Sequence, residues 1–460
     1  MKINPLRNTI ALCLAVLLSL GLLSWLPEFS LGSLRFKKID LLSSIRSEQE
    51  DQDTLLVPLS EPEKVALQLD SIAQEFQSAC KPGITCVEDF SSDSTGLDNF
   101  LKALSDLKNK PRSVRIAFYG DSFIEGDVFC GAVRDTLQSI FGGRGVGFVP
   151  ITSNVTGFRN TIRHEFGNWK THSLIQPADS TGSVDFGPAG YSFRPLKDNW
   201  VEYRVSKQRF LREFSEMKLY YRNPGNATLF YTINDTALNT SILKTGNRLR
   251  EWKHEDEAAK TVVFEFEDAD SLDVYGASFE SKNGVVVDNF SMRGNSGIAL
   301  YNIPDKLLKE FNQYRDYKLI FLQYGLNVIR EDSSRYGWYA NKMIAVVEKL
   351  KKTFPNASIV LLSVSDRSTN SNGTYRTEKG IPALRNTQRY IAKETGIVFW
   401  DLYEAMGGED SMVKFVSSTP ALAAKDYTHL TFKGGKKLAG SLVQSLLFEL
   451  EEYEKRKVVK

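Results

Sequence analysis

Val114-Arg115-Ile116-Ala117-Phe118-Tyr119-Gly120-Asp121-Ser122 is the stretch on which the reading of this chain turns. Val114 to Tyr119 is an apolar, strand-like run, and a helix-like segment follows from Gly126. Ser122 thereby falls at a strand-to-helix turn with its hydroxyl exposed, where a serine is a candidate nucleophile. Gly-Asp-Ser is also a common turn, so it carries chemistry only with partners elsewhere in the chain.

Three further pieces supply them: Arg293-Gly294-Asn295, Gly325-Leu326-Asn327 and Asp426-Tyr427-Thr428-His429. Serine is a weak nucleophile at neutral pH and needs a base, and His429 is the best candidate among only four histidines. Asp426, three residues earlier, is near enough in a tight turn to accept the imidazole N–H and hold its tautomer, which makes a triad of Ser122, His429 and Asp426. Each piece alone has a bland reading: Asn327 as a helix cap after a strand, Asp426 as a cap beside a surface histidine. Their joint appearance in one order is what coincidence explains badly.

In chain order these pieces resemble the four blocks of the SGNH (GDSL-type) hydrolase superfamily. The resemblance covers Pro111 to Phe141 and Gly284 to the C-terminus, and implies a flavodoxin-like three-layer α/β core. It also implies an oxyanion hole made of the Ser122 N–H, the Gly294 N–H and the Asn327 side-chain amide, with Gly297 as the second choice for the glycine. The layout is closest to peptidoglycan O-acetylesterases, which carry a long β-rich insertion between the serine and glycine blocks. One departure bears on substrate preference: many carbohydrate-esterase relatives have Thr where this chain has Leu326, and its neighbour Tyr324 is large.

Strand-like runs (Val114 to Tyr119, Val285 to Phe290, Leu319 to Leu322, Ser358 to Ser363, Ile397 to Trp400) alternate with helical ones (Tyr339 to Lys352, Pro382 to Lys393, Lys433 to Glu452). Such alternation predicts a parallel sheet with helices on both faces and a ligand site beyond the carboxyl ends of the strands. Between the first two blocks the pattern changes. Met217 to Tyr221, Thr228 to Ile233, Thr261 to Glu267 and Leu272 to Tyr275 alternate in polarity and are bounded by turn residues, which predicts an antiparallel sandwich. The resemblance makes this insert a carbohydrate-binding module; a purely structural domain forming one wall of the cleft is the alternative. The glycine-rich run Phe141 to Phe148 lacks the Lys-Ser/Thr of a phosphate loop. It resembles the glycine-arginine segment that approaches the active site in these esterases, and Arg144 is a candidate contact for a substrate anion, or else part of a salt bridge.

The expected organisation is a signal anchor or signal peptide over 1–28, a polar spacer and helical segment over 29–110, core over 111–151 and 281–460, and the inserted β-sandwich over 152–280. Lys2 and Arg7 precede an apolar run from about Thr9 to Leu26, near the minimum length for a membrane helix, with no small-x-small cleavage site at its end. This predicts a membrane-anchored protein with its catalytic part outside the cytosol, in the cell envelope. Residues 38–53 are polar and charged and read as a spacer, while Glu61 to Ala79 and Gly96 to Leu107 have helical periodicity. Of four cysteines, Cys80 and Cys86 enclose a short loop suited to a disulfide, Cys130 reads as a buried thiol, and Cys13 lies in the apolar run. No zinc spacing is present, so neither metal nor cofactor is implied. With 58 Lys and Arg against 56 Asp and Glu, the charge offers no attraction to nucleic acid.

Three functions follow as expectations. The first is a serine esterase that removes O-acetyl groups from an envelope polysaccharide, peptidoglycan being one candidate. The second is a polysaccharide O-acetyltransferase using the same triad, and the third a non-catalytic carbohydrate-binding envelope protein.

Overall fold

A computed structural model of the chain describes residues 29–31, 34–36, 73–78, 80–176, 185–330 and 335–459. The expected membrane segment over 1–28 and the spacer over 38–53 lie outside the described residues, and no helix among those described is long and apolar enough to cross a membrane. The chain forms two compact units, residues 1–61 and 62–460. In the first, β1 (Phe29–Leu31) and β2 (Leu34–Phe36) make an antiparallel hairpin. In the second, residues 73–78 are helical and the Cys80–Cys86 disulfide ties the following loop.

The second unit then runs through β3 (Val87–Asp89), α1 (Asp98–Asp106), β4 (Ser113–Gly120), α2 (Ser122–Glu125) and α3 (Phe129–Phe141). The insert follows: β5 (Gly147–Val149), β6 (Ile162–Ser173), β7 (Tyr191–Val205), β8 (Phe214–Asn223), β9 (Thr228–Ile233), β10 (Asn239–Ile242), β11 (Gly246–Ala259), β12 (Thr261–Glu267) and β13 (Asp273–Glu280). The core resumes with β14 (Gly284–Ser291), α4 (Asp305–Arg315), β15 (Tyr317–Gln323), α5 (Gly337–Thr353) and β16 (Ser358–Leu362). It ends with β17 (Ser368–Ser371), β18 (Thr374–Thr377), α6 (Ile381–Thr395), β19 (Val398–Trp400), α7 (Leu402–Met406), α8 (Ser411–Ser417) and α9 (Phe432–Val459).

The core sheet has the order β14-β4-β15-β16-β19-β3 and is parallel except for β3, which pairs antiparallel with β19. Its strands read as near-continuous apolar runs because helices cover both faces; all of β16 and most of β4 are buried. Phe118 of β4 stacks on Phe321 of β15 with ring centres 4.4 Å apart. From β4 the chain crosses to β14 on one side through α3, then returns past β4 to β15 through α4. Right-handed crossovers in opposite directions put these helices on opposite faces. They also open a crevice beyond the carboxyl end of β4, the switch point where such sheets bind ligands.

The insert is antiparallel, as the alternation predicts, but it is one nine-stranded sheet and not two separate ones. Long strand β7 makes the difference. Its first part meets β13 at Phe193, and its last part meets β12 from Val201 to Arg204. Pro195, which has no N–H to give a ladder, lies between the two pairings. The two arms fold back over a shared core that includes Val201, Tyr203, Leu219, Phe264 and Phe279. Because β5 joins this sheet through β13, the sheet begins at Gly147, ahead of the expected boundary.

A buried ionic cluster links insert and core. Arg315, at the end of α4, donates to both Asp288 oxygens, at 2.8 and 2.6 Å, and to Glu280 at 3.0 Å. Arg115 of β4 and Lys218 of β8 also donate to Glu280. Burial works against the Glu280 carboxylate, yet the Arg315, Arg115 and Lys218 charges hold it well below the usual carboxylate range.

Candidate active site

Gly120 ends β4 and Ser122 opens α2, so the strand-to-helix turn expected there is present. Asp121 caps this short helix by accepting the Phe123 N–H at 2.9 Å. The turn is tight: a Cβ on Gly120 would fall 2.4 Å from Ile124 Cγ1.

Ser122 Oγ lies 3.2 Å from His429 Nε2, and His429 Nδ1 lies 2.8 Å from Asp426 Oδ2. A carboxylate opposite Nδ1 keeps the proton there, which leaves the Nε2 lone pair free to accept the serine proton. Asp426 Oδ1 also accepts the N–H groups of Thr428 and His429, each at 3.0 Å. Despite the opposing effect of partial burial, these bonds hold the Asp426 carboxyl below the usual range. The loop needs Tyr427 in the left-handed region, φ 53°, to bring aspartate and histidine onto one side. The dyad is open to water, with the His429 and Asp426 side chains 39% and 50% exposed.

Gly294 and Asn327 reach the same place from β14 and β15. Gly294 has φ 77° and open space where a side chain would project. The second choice, Gly297, is committed elsewhere: its N–H is donated to Asn295 Oδ1 at 2.8 Å, and a Cβ there would strike Tyr324 and Met343. Both amide hydrogens of Asn327 are engaged, by Asp121 Oδ2 at 3.0 Å and by the Asn295 carbonyl at 3.1 Å. Donation to an oxyanion must therefore draw on one of these bonds. Asp121 is fully buried, and burial raises its carboxyl to about 6 against the Phe123, His429 and Asn327 contacts that lower it.

Other sequence candidates fall elsewhere. Arg144 is at the amino-terminal edge of the core sheet, where its N–H and carbonyl bond Ser281 and its guanidinium pairs with Glu213. An eight-residue strand, roughly 25 Å, separates that edge from Ser122, so Arg144 is a salt-bridge residue and not a substrate contact. The glycines beside it serve backbone crossing: a Cβ on Gly143 would lie 2.5 Å from the Val285 carbonyl, and one on Gly145 2.3 Å from that of Phe279. They pack against β13 and β14 and do not approach the active site. Leu326 is buried in the apolar core, so it does not line the cleft.

The rim contains residues that sequence reasoning missed. Arg293, beside Gly294, pairs with Glu125 at 2.8 Å. Burial, and then the Glu125 charge, push the hydroxyl of Tyr191, at the start of β7, up to about 12. Phe158 of the insert packs over Gly126 and stacks with Phe432, ring centres 5.7 Å apart, both exposed. No periodicity marks these positions: the Arg293–Glu125 pair depends on β14 lying beside β4, and Tyr191 and Phe158 depend on the insert folding back to the serine turn.

The GDSL-like lipase/acylhydrolase family model matches residues 261–436, a span that holds Gly294, Asn327, Asp426 and His429; the insert separates Ser122 from it. No curated protein matches the chain. Among solved structures the chain is similar to a peptidoglycan O-acetylesterase, with TM-score 0.63 and 21% identity over 80% of this chain and 99% of that one. More distant likenesses are to a Bacillus subtilis protein (TM-score 0.31, 14% identity, 62% of this chain and 90% of that one) and an acetyl xylan esterase (TM-score 0.27, 18% identity, 35% and 81%). The family match, the doubly wound sheet and a serine at its switch point converge: the chain carries a GDSL-like lipase/acylhydrolase domain over residues 261–436, set in an SGNH-like α/β fold.

Proposed function

We propose that this protein is a serine O-acetylesterase acting on an envelope polysaccharide, with O-acetylated peptidoglycan the first substrate to test. The observation that carries the chemistry is the line from Ser122 Oγ through His429 to Asp426, with contacts of 3.2 and 2.8 Å. Ser122 attacks the acetyl carbonyl carbon while His429 Nε2 takes its proton. The N–H groups of Ser122 and Gly294 and the Asn327 amide meet the oxyanion. The bond from carbon to the sugar oxygen breaks, and His429 returns its proton to that oxygen. Water then attacks the acetyl-serine carbonyl carbon, giving a proton to His429; the bond from that carbon to Ser122 Oγ breaks, His429 returns the proton to Oγ, and acetate leaves.

The likeness to a peptidoglycan O-acetylesterase supports the substrate class, and the insert residues on the rim, Tyr191 and Phe158, support a role for the insert as a cleft wall. The N-terminal apolar run and the Cys80–Cys86 disulfide support an envelope location, since disulfides persist in oxidising compartments. The test is mass spectrometry of the ectodomain incubated with O-acetylated peptidoglycan and with other acetylated polysaccharides. Free acetate from peptidoglycan is expected. Acetyl groups moved only to an added glycan acceptor would replace the esterase reading with a transferase one, and glycan binding without serine labelling by an organophosphonate would remove catalysis altogether.

A further inference from the structure

The Asp426–His429 loop is tied to the core at few points: Tyr427 packs against it, and Ala423 and Leu430 on either side are buried. Asp426 is half exposed, and the turn is closed by local bonds: Ala424 N–H to the His429 carbonyl at 2.8 Å, Tyr427 N–H to the Ala424 carbonyl at 3.1 Å, and the Thr428 and His429 N–H groups to Asp426 Oδ1. What braces it from outside is the β17–β18 hairpin, which is no part of the doubly wound sheet.

The hairpin turns at Asn372-Gly373, φ 52° and 83°, the two positive angles that suit a tight two-residue turn. Its base is fixed. Buried Asp366 accepts Thr377 Oγ1 at 2.9 Å, Ser411 Oγ at 3.2 Å and the Met412 N–H at 2.7 Å, tying the hairpin to α8. From this base two consecutive residues reach two different catalytic loops. Arg367 pairs with Glu378 at 2.5 Å and donates at 3.1 Å to the carbonyl of Leu326, the residue before Asn327. Ser368 N–H donates at 3.0 Å to the carbonyl of Tyr427, between Asp426 and His429. Across the hairpin, the Tyr375 ring lies flat on the Tyr427 ring, centres 3.6 Å apart and planes 4° apart.

We propose that the β17–β18 hairpin is a brace that sets the distance between the Asn327 loop and the Asp426–His429 loop, with Tyr375 and Arg367 as positioning residues. Neither touches the reacting atoms. Tyr375 acts through Tyr427, whose left-handed backbone decides whether His429 Nε2 faces Ser122, and a displacement of about 1 Å there is enough to cost on the order of 100-fold in rate. The proposal rests on the serine-hydrolase reading above.

The test uses the full-length protein, a small aryl acetate and an organophosphonate that labels the active serine. Tyr375→Ala is expected to lower kcat at least tenfold and slow serine labelling to match, with KM within about twofold and the thermal midpoint within a few degrees of wild type. Tyr375→Phe, which keeps the ring face, should restore at least half of the wild-type kcat. Tyr375→Leu supplies volume without a flat face and should behave like Tyr375→Ala; it serves as well if the alanine protein does not fold. A folded Tyr375→Ala or Tyr375→Leu protein with wild-type kcat overturns the brace, as does a loss in Tyr375→Phe equal to that of alanine. A wild-type protein that neither hydrolyses the ester nor takes the label overturns the esterase reading and the brace with it.

Discussion

Asp121 Oδ2 accepts a hydrogen bond from Asn327 Nδ2 at 3.0 Å, so the buried residue before the candidate nucleophile holds a solvent-exposed candidate oxyanion donor. This joins the ends of β4 and β15 beneath the site and commits the Asn327 amide before any substrate arrives. It also places a carboxyl where ionisation is costly.

That cost predicts a pH dependence of stability. Asp121 titrates at about 6 in the folded chain, against about 3.9 for an unfolded aspartate. Between those values the unfolded state binds fewer protons, so this group's contribution is full below about pH 4 and is lost as pH rises through about 6, a loss of about 3 kcal/mol. Denaturant unfolding of Asp121→Asn and wild type from about pH 4 to 7 should show the variant gaining relative stability across that window. A constant difference would rule out burial of an ionised Asp121.

Replacing Ser122 or His429 by alanine should lower kcat for an aryl acetate by about 10⁴-fold or more, since both belong to one proton-transfer unit. Both variants should keep the wild-type unfolding midpoint. Steady-state kinetics on protein shown folded by circular dichroism decides this.

Asp426→Asn keeps an oxygen for the Thr428 and His429 N–H groups but turns a donor toward Nδ1. The imidazole then favours the tautomer with its proton on Nε2, which cannot accept from Ser122. A fall in kcat of about 10²- to 10⁴-fold with little change in KM is expected. The kcat-to-KM split in a pH series is the check.

Arg315→Met should destabilise the second unit by about 3–5 kcal/mol, because it leaves Asp288 and Glu280 buried without their main cation. Wild-type stability should also fall on acidification below about pH 4. Burial works against both Glu280 and Asp127, yet Arg315, Arg115 and Lys218 hold the first, and Arg134 and Arg159 the second, well below the usual range, so their stabilisation is present above the unfolded carboxyl value and lost as pH falls toward the folded ones. Chemical denaturation at stepped pH measures both effects, and an acid slope unchanged in Arg315→Met would contradict the part assigned to Glu280.

Excising residues 152–280 with a short linker should give a protein that does not fold. The cut removes Glu280, leaving Arg115 without its carboxylate and Arg315 with Asp288 alone, and strips Tyr220 and Tyr275 from the core they share with Phe311. A cooperative unfolding transition in the excised chain would show that the insert is dispensable for the core.

The strand and helix runs, the position of Ser122 at a turn, the antiparallel character of the insert and the Cys80–Cys86 pair were all legible in the chain. Each depends on neighbours within a few residues: apolar periodicity, turn residues, a short loop between cysteines. The hairpin at Asn372-Gly373 was legible by the same logic and was missed, because its flanking serines and threonines lack an apolar alternation. Tertiary structure alone decided the rest. It put Ser122 against His429 across 307 residues, sent Arg144 to the far edge of the sheet, made the insert one sheet through β7, and set Tyr375 on Tyr427. Such relations are fixed by which strands lie side by side and how their side chains pack. A local pattern carries no record of that, because packing is settled only when distant segments compete for the same buried space.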